Sequence, residues 1–504
     1  MSKKIKLSYF ALLLSFFNLV FHYPFFSFVV DNFEISSANG VLLLSSLLIC
    51  ALLLNAWVFY IGLYALGKIG KWILAFFFHV SAIAVYFINS YGIIVDRSMI
   101  GNVLNTNYEE SSSFVSIGLF VYLIFLGVLP SIILFKIEII KPTVKRFFTH
   151  VGLTLIALLA ISYANAPNWL WIDKNSKTLG GLVMPWSYVI NTSRYYIKKN
   201  KENKKQILLP DATIKDNEKS VIVLVIGESA RSGNFSLYGY DKDTNPLLSQ
   251  VENLYHYKAE SCATYTTAGV KCILDHKETG KLYEILPNYL FRNNVEVIWR
   301  STNWGEPKVI IDKFSRKEDL RANCEGDLCN YDEVLLDGLN EKILASSKNK
   351  VFVVLHTSTS HGPTYSKKYP EAFEKFSPVC TSVELANCTQ EELINAYDNT
   401  IVYTDYILDK LIKDLKELEG YKTSMIYVSD HGESLGENNL YMHGIPKSIA
   451  PHEQLEIPFI VWASQNSKQV KHETEVTQHY VFHSVLDFLS IESPVYEEEL
   501  SVFK

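Results

Sequence analysis

Five apolar runs, near 8–30, 41–66, 72–95, 114–135 and 149–165, occupy the first third of the chain and constrain its fold more than any other feature. A helix needs ~20 apolar residues to cross a bilayer, and helices and closed barrels alone satisfy their backbone groups in hydrocarbon. The runs therefore predict five membrane-crossing helices, the last one short. Lys3, Lys4 and Lys6 precede the first run, which is too long for a signal peptide and lacks a small-residue cleavage site, so an uncleaved anchor is expected.

Basic residues fix the orientation. The N-terminus, the 67–71 turn (Lys68, Lys71) and the 136–148 loop (Lys136, Lys141, Lys145, Arg146) carry them, whereas 31–39 has none and 96–112 has only Arg97. The positive-inside rule puts the basic loops in the cytoplasm, and an odd number of spans then delivers residues 166–504 to the far side. Cysteine usage divides at the same place. Cys50 stands alone in an apolar run, while Cys262, Cys272, Cys324, Cys329, Cys380 and Cys388 form three close pairs in the polar part. An even set at short spacings in an exported domain predicts disulfides, and no pair has the CxxC spacing of a zinc knuckle.

A chain of 504 residues exceeds what one core usually holds, so at least two domains are expected. The boundaries read as a transmembrane domain over 1–165, an interfacial helix and linker over 166–217, and a catalytic domain over 218–504. Trp169, Trp171 and Trp186, followed by a lysine-rich stretch, suit the headgroup layer. The net charge of −6 implies no basic surface, and no nucleic-acid partner is expected.

Strand-like runs at 221–226, 295–299, 351–355, 424–428 and 457–462, with helical stretches such as 391–418 between them, predict an α/β domain with a mostly parallel sheet. Ligands of such sheets bind beyond the carboxyl ends of the strands. Glu228 follows the first run, His356 and His361 the third, and Asp430-His431 the fourth. Two carboxylates and an imidazole at one sheet edge are a ligand set for Zn²⁺. Three protein ligands leave a position for a nucleophile, and the segment Ser261-Cys262-Ala263-Thr264-Tyr265-Thr266-Thr267 supplies one, just before a short predicted helix through 275. Thr266 is the best placed, since a hydroxyl at a helix N-terminus beside a metal is activated by both. Thr264 and Thr267 are rivals that spacing does not separate. His356, His452, His472, His479 and His483 read as surface or core histidines.

Gly227-Glu228-Ser229, the Cys-bracketed threonine segment, His361-Gly362-Pro363 and Asp430-His431-Gly432-Glu433 together resemble the phosphoethanolamine transferases that modify lipid A and lipooligosaccharide. That family includes the MCR colistin-resistance enzymes and lies in the alkaline phosphatase and sulfatase superfamily. The resemblance implies a nucleophile four residues after the first cysteine of its disulfide, Thr266, and zinc ligands Glu228, Thr266, Asp430 and His431. It places His361 and His443 near the transferred phosphate, where a second zinc can bind, and suggests Asn303 and Lys308 at the substrate head. Asn102, Thr106 and Glu110 match membrane-side substrate contacts, and the implied bridges are Cys262–Cys272, Cys324–Cys329 and Cys380–Cys388. Two departures stand out: Ala263 and Lys271 where glycine and proline are usual, and Trp304-Gly305-Glu306-Pro307 before Lys308.

The expectation is therefore a monomeric zinc enzyme of a Gram-negative inner membrane with its catalytic domain in the periplasm. It would move phosphoethanolamine from phosphatidylethanolamine to lipid A or lipooligosaccharide through a covalent threonine intermediate, with His361, His443 and Lys308 offsetting charge or protonating the leaving group. A phosphoglycerol transferase of the lipoteichoic-acid type is the rival enzyme, and an inactive envelope sensor or scaffold the rival of another class. Three cysteine pairs with His361-Gly362-Pro363 oppose the first, and the complete set of ligands and nucleophile opposes the second.

Overall fold

The computed structural model describes residues 3–106, 108–202, 206–322, 324–472 and 475–504. They form two compact units, Met1–Thr106 with Val115–Lys198, and Asn107–Phe114 with Lys199–Lys504.

The first unit holds five helices long and apolar enough to cross a membrane: Leu7–Asn32, Ala38–Leu66, Lys68–Tyr91, Ile117–Lys136 and Val144–Ala164. The last has 21 residues, longer than its apolar run suggested, because the helix begins in the basic segment Val144-Lys145-Arg146. Large apolar side chains such as Phe16, Trp72, Phe125 and Leu159 are exposed on these helices. That pattern suits lipid, whose tails are as apolar as the side chains that face them. Polar groups turn inward and find partners: Asn18 Nδ2 donates to the Met184 carbonyl, and Trp186 Nε1 donates to Asn55 Oδ1. Residues 166–202 continue as three helices, Trp169–Lys174, Ser176–Leu182 and Trp186–Glu202. Residues 203–205, in the lysine-rich stretch, lie outside the described residues.

The second unit is built on an eight-stranded sheet. Its strands are β1 (Ser220–Gly227), β2 (Leu254–Glu260), β3 (Glu296–Ser301), β4 (Lys313–Ser315), β5 (Lys350–His356), β6 (Lys422–Ser429), β7 (Glu456–Ala463) and β8 (Glu475–Thr477). The order across the sheet is β8-β2-β7-β6-β1-β5-β3-β4, and β7 alone runs against the others. The mostly parallel sheet expected from the sequence is present. β1 and β5 are buried at every residue, which explains why they read as continuous apolar runs rather than alternating ones.

Three helices matter for the site: α1 (Thr266–Leu274), α2 (Gln390–Lys416) and α3 (Tyr480–Phe488). Thr389 caps α2 by accepting from the Glu392 N–H while Glu392 reaches back to the Thr389 N–H, a reciprocal capping box. The three bridges form as implied, Cys262–Cys272, Cys324–Cys329 and Cys380–Cys388, and Cys50 is free.

Candidate active site

β1, β3, β5 and β6 end at one edge of the sheet, and the chemistry-bearing residues leave from those ends. Glu228 follows β1, and Asp430 and His431 follow β6, its hydrogen-bonded neighbour. All three are at most 1% exposed. Thr266 is the first residue of α1 and is 3% exposed. Its Oγ1 lies 3.3 Å from Glu228 Oε2 and 3.4 Å from His431 Nε2, and His431 Nε2 lies 3.3 Å from Asp430 Oδ2 and 3.5 Å from Glu228 Oε1. The other two threonines of the segment stand differently. Thr264 turns its hydroxyl onto the Ile445 carbonyl at 2.6 Å, and Thr267 is partly exposed.

The protons show what this cluster lacks. His431 Nδ1 lies 2.8 Å from the Gly432 carbonyl, which can only accept, so the ring proton sits on Nδ1 and Nε2 presents a lone pair. Asp430 Oδ1 accepts from the Ser229 and His431 backbone N–H groups, but Oδ2 is buried without a hydrogen-bond partner. The Nε2 lone pair thus faces two carboxyl oxygens, and a proton taken up by a carboxyl or a cation has to sit between them. Burial and then the Glu228 charge push the Asp430 carboxyl well above its ordinary range. Burial also opposes the charge on Glu228, but His361, His431, His443 and the Asn303 amide outweigh it and hold that carboxyl low. Burial, then His443, lowers His431 to about 3. A divalent cation resolves this arrangement. Ligands at about 2.0 to 2.1 Å around a tetrahedral zinc lie about 3.3 to 3.4 Å apart, close to the spacings recorded here. The donor set fits a metal ion.

Two further close approaches surround Thr266. An added Cβ on Gly269 would lie 2.2 Å from the Asp430 carbonyl oxygen, so α1 rests directly on the Asp430 backbone. An added Cβ on Gly305 would lie 3.0 Å from Thr266 Cγ2, so that loop passes close to the Thr266 methyl group. Gln478, fully buried, joins the same parts. It donates to the Ser429 and Asp430 carbonyls and accepts from the Cys262 N–H. No sequence signal singled out Gln478, because a lone glutamine outside any motif carries none.

His361, His443 and Glu228 form a second group with ligand atoms within 4.8 Å of one another. His361 is 6% exposed, and its ring centroid lies 5.6 Å from that of His443. His443 Nδ1 lies 3.3 Å from Glu433 Oε1, which orients the ring. Asn303 also lies here, although not as a group turned only to a substrate. Its Nδ2 donates to Glu228 Oε2 at 2.6 Å and to the Thr357 carbonyl. Lys308 is not gathered in: the residue is exposed, and what the structure fixes there is its carbonyl, which accepts from Asn288. Asn102 and Thr106 belong to the membrane unit, where the Asn102 carbonyl accepts from Thr106 Oγ1. The Glu110 side chain lies outside the described residues.

The unit that carries these buried carboxylates, the imidazole and the threonine on a largely parallel sheet is of the sulfatase class: the sulfatase family model matches residues 220–491. Here the class comes with a membrane-spanning N-terminal region, and a model described as phosphoethanolamine transferase EptA/EptB matches residues 48–200. The chain belongs to the phosphoethanolamine transferase family. It is 40% identical to phosphoethanolamine transferase EptA of Helicobacter pylori over 97% of this chain and 94% of that one. It is 30% identical to phosphatidylethanolamine transferase Mcr-1 of Escherichia coli over 87% and 85% of the two chains. Among solved structures, the integral membrane lipooligosaccharide phosphoethanolamine transferase A of Neisseria meningitidis superposes with a TM-score of 0.90 at 26% identity, covering 99% of both chains.

Proposed function

We propose that this enzyme transfers phosphoethanolamine from phosphatidylethanolamine to lipid A or lipooligosaccharide in a zinc-dependent reaction that passes through a covalent adduct on Thr266. The observation that carries the reading is the buried cluster of Thr266 Oγ1, Glu228, Asp430 and His431, in which His431 Nε2 lies 3.3 to 3.5 Å from each of the other three and Thr266 Oγ1 lies 3.3 Å from Glu228. A zinc ion bound there supplies positive charge that lowers the pKa of the Thr266 hydroxyl and polarises the phosphoryl group.

The residues of the chain do the rest. Thr266 Oγ1 forms a bond to phosphorus, the phosphorus bond to the diacylglycerol oxygen breaks, and diacylglycerol leaves with a proton. An acceptor oxygen then displaces Thr266 from the same phosphorus, and the threonine hydroxyl is restored. His443 has Nδ1 held by Glu433, so its Nε2 is the nitrogen that serves the leaving oxygen. His361, beside it, offsets charge on the other phosphoryl oxygens. Asn303 keeps Glu228 in its orientation through the 2.6 Å bond. The site belongs to the periplasmic side of a Gram-negative inner membrane, where both amphiphilic substrates are held in a bilayer.

Incubation of the purified enzyme with donor lipid, followed by intact-mass analysis, should show one phosphoethanolamine adduct that peptide mapping places on Thr266. An adduct on another residue removes Thr266 as nucleophile. Mass spectrometry of envelope lipids from cells with and without the enzyme should show lipid A gaining one phosphoethanolamine. An unchanged lipid A with another modified glycan or protein would replace the acceptor. A reporter fused after Lys504 should be active only outside the cytoplasm.

A further inference from the structure

Asp332 carries a buried carboxylate that no step above uses. It opens the 3-10 turn Asp332–Leu335 and is 3% exposed. Its Oδ2 accepts from the Ser358 backbone N–H at 2.7 Å and from the Thr359 hydroxyl, and its Oδ1 accepts from the Thr302 hydroxyl and from Ser358 Oγ at 3.2 Å. These donors come from two different turns. Thr302 stands in the turn after β3, immediately before Asn303, whose amide holds Glu228. Ser358 and Thr359 stand in the turn after β5, and the Ser358 carbonyl accepts the His361 N–H at 3.3 Å.

The carboxylate itself is anchored from behind. The Glu333 N–H donates to Tyr403 Oη, and Glu333 Oε1 takes Lys410 and the Tyr406 hydroxyl, all three on α2. One acceptor fixed to the long helix therefore ties together the turn that carries Asn303 and the turn that carries His361. A carboxylate suits the place, because an ionised one only accepts and all of its partners here donate.

We propose that Asp332 is a positioning residue for phosphoethanolamine transfer: it sets the Asn303 turn against the His361 turn, and so aligns the Glu228 side of the site with the phosphate side. The inference rests on the reading of His361 and Asn303 given under the proposed function. A misplacement of ~1 Å in such a constellation can cost ~10²-fold in rate. Asparagine in place of Asp332 keeps the size but turns an NH₂ group toward donors.

The test uses the full chain with phosphatidylethanolamine as donor and purified lipid A as acceptor. Asp332→Asn should lower kcat about 10²-fold while KM for the donor lipid and zinc per chain stay unchanged. In the double variant with Asn303→Ala, kcat should fall no further than in the worse single variant, because the two act through one alignment. A kcat loss that tracks lost zinc or a lowered melting temperature, or single losses that multiply in the double variant, would make Asp332 a plain structural staple and overturn the proposal. Should Asp332→Asn fail to fold, Thr302→Val, which removes one donor, must show the same non-additivity with Asn303→Ala at smaller size, and additivity there overturns the proposal equally. If Asn303→Ala and His361→Ala each leave kcat intact, the reading of the site has failed first, and this inference with it.

Discussion

Glu228, Asp430 and His431 leave the ends of β1 and β6, two neighbouring parallel strands inside the sheet, whereas His361 and His443 stand on loops beyond it. β1 is paired on both sides, by β5 and β6, and β6 by β1 and β7. Moving a metal-facing group therefore means disturbing ladders that are saturated on both edges. His361 follows the turn that ends β5, and His443 follows a short antiparallel pair of two-residue strands, Ser434–Leu435 with Tyr441–Met442. On the proposed function, the contrast would separate holding a metal, which demands fixed donors, from meeting the lipid phosphate, which falls to side chains on loops.

Substitutions on the two sides should separate in the same way. The largest effect is expected for Thr266→Ala, which should reduce transfer to background while the protein stays folded and keeps part of its metal, since three protein ligands remain. Next come the strand-borne ligands. Glu228→Ala, Asp430→Asn and His431→Ala should lose zinc and activity together, as measured by metal analysis of the purified variants. Chelation of the wild-type protein should also lower its melting temperature, because the buried carboxylates then face His431 Nε2 with no cation. A strand-side variant that keeps full zinc yet loses activity would break the comparison.

On the loop side, His361→Ala or His443→Ala should lower kcat by ~10²- to 10⁴-fold, the usual span for a lost proton-transfer group, with zinc retained. Gly269→Ala tests the support beneath the nucleophile. Its added Cβ meets backbone rather than a movable side chain, so α1 must shift and kcat should fall ~10²-fold with zinc still bound. The smallest effect belongs to the cysteines. Thiol labelling of the denatured, unreduced protein should find Cys50 alone, and Cys50→Ser should leave transfer unchanged.

Much of this was legible in the residues, for identifiable reasons. β1, β5 and β6 are buried on both faces and read as unbroken apolar runs, so their ends, and with them Glu228, His361 and Asp430, could be placed at one sheet edge. β2 was missed because Leu254–Glu260 alternates polar and apolar residues near an edge, and β4 and β8 because three residues carry no periodicity. Thr266 could not be separated from Thr264 by spacing. The distinction lies in which way the hydroxyls turn at the start of α1. Lys308 came from the family resemblance alone, and Trp304-Gly305-Glu306-Pro307 before it departs from that family's pattern. Asp332 and Gln478 act through hydrogen bonds to residues far along the chain, and local sequence holds no record of such partners.

The close passage of Gly305 by the Thr266 methyl group bears on why the proposed nucleophile is a threonine. A serine hydroxyl can swing among three rotamers, but a β-branched side chain whose methyl lies 3.0 Å from where a Cβ on Gly305 would stand has fewer ways to turn. The methyl acts as a rudder. In the proposed reaction it would take no part in breaking or making bonds, yet it narrows the headings open to the oxygen beside it, so a serine at this position would be expected to lose aim.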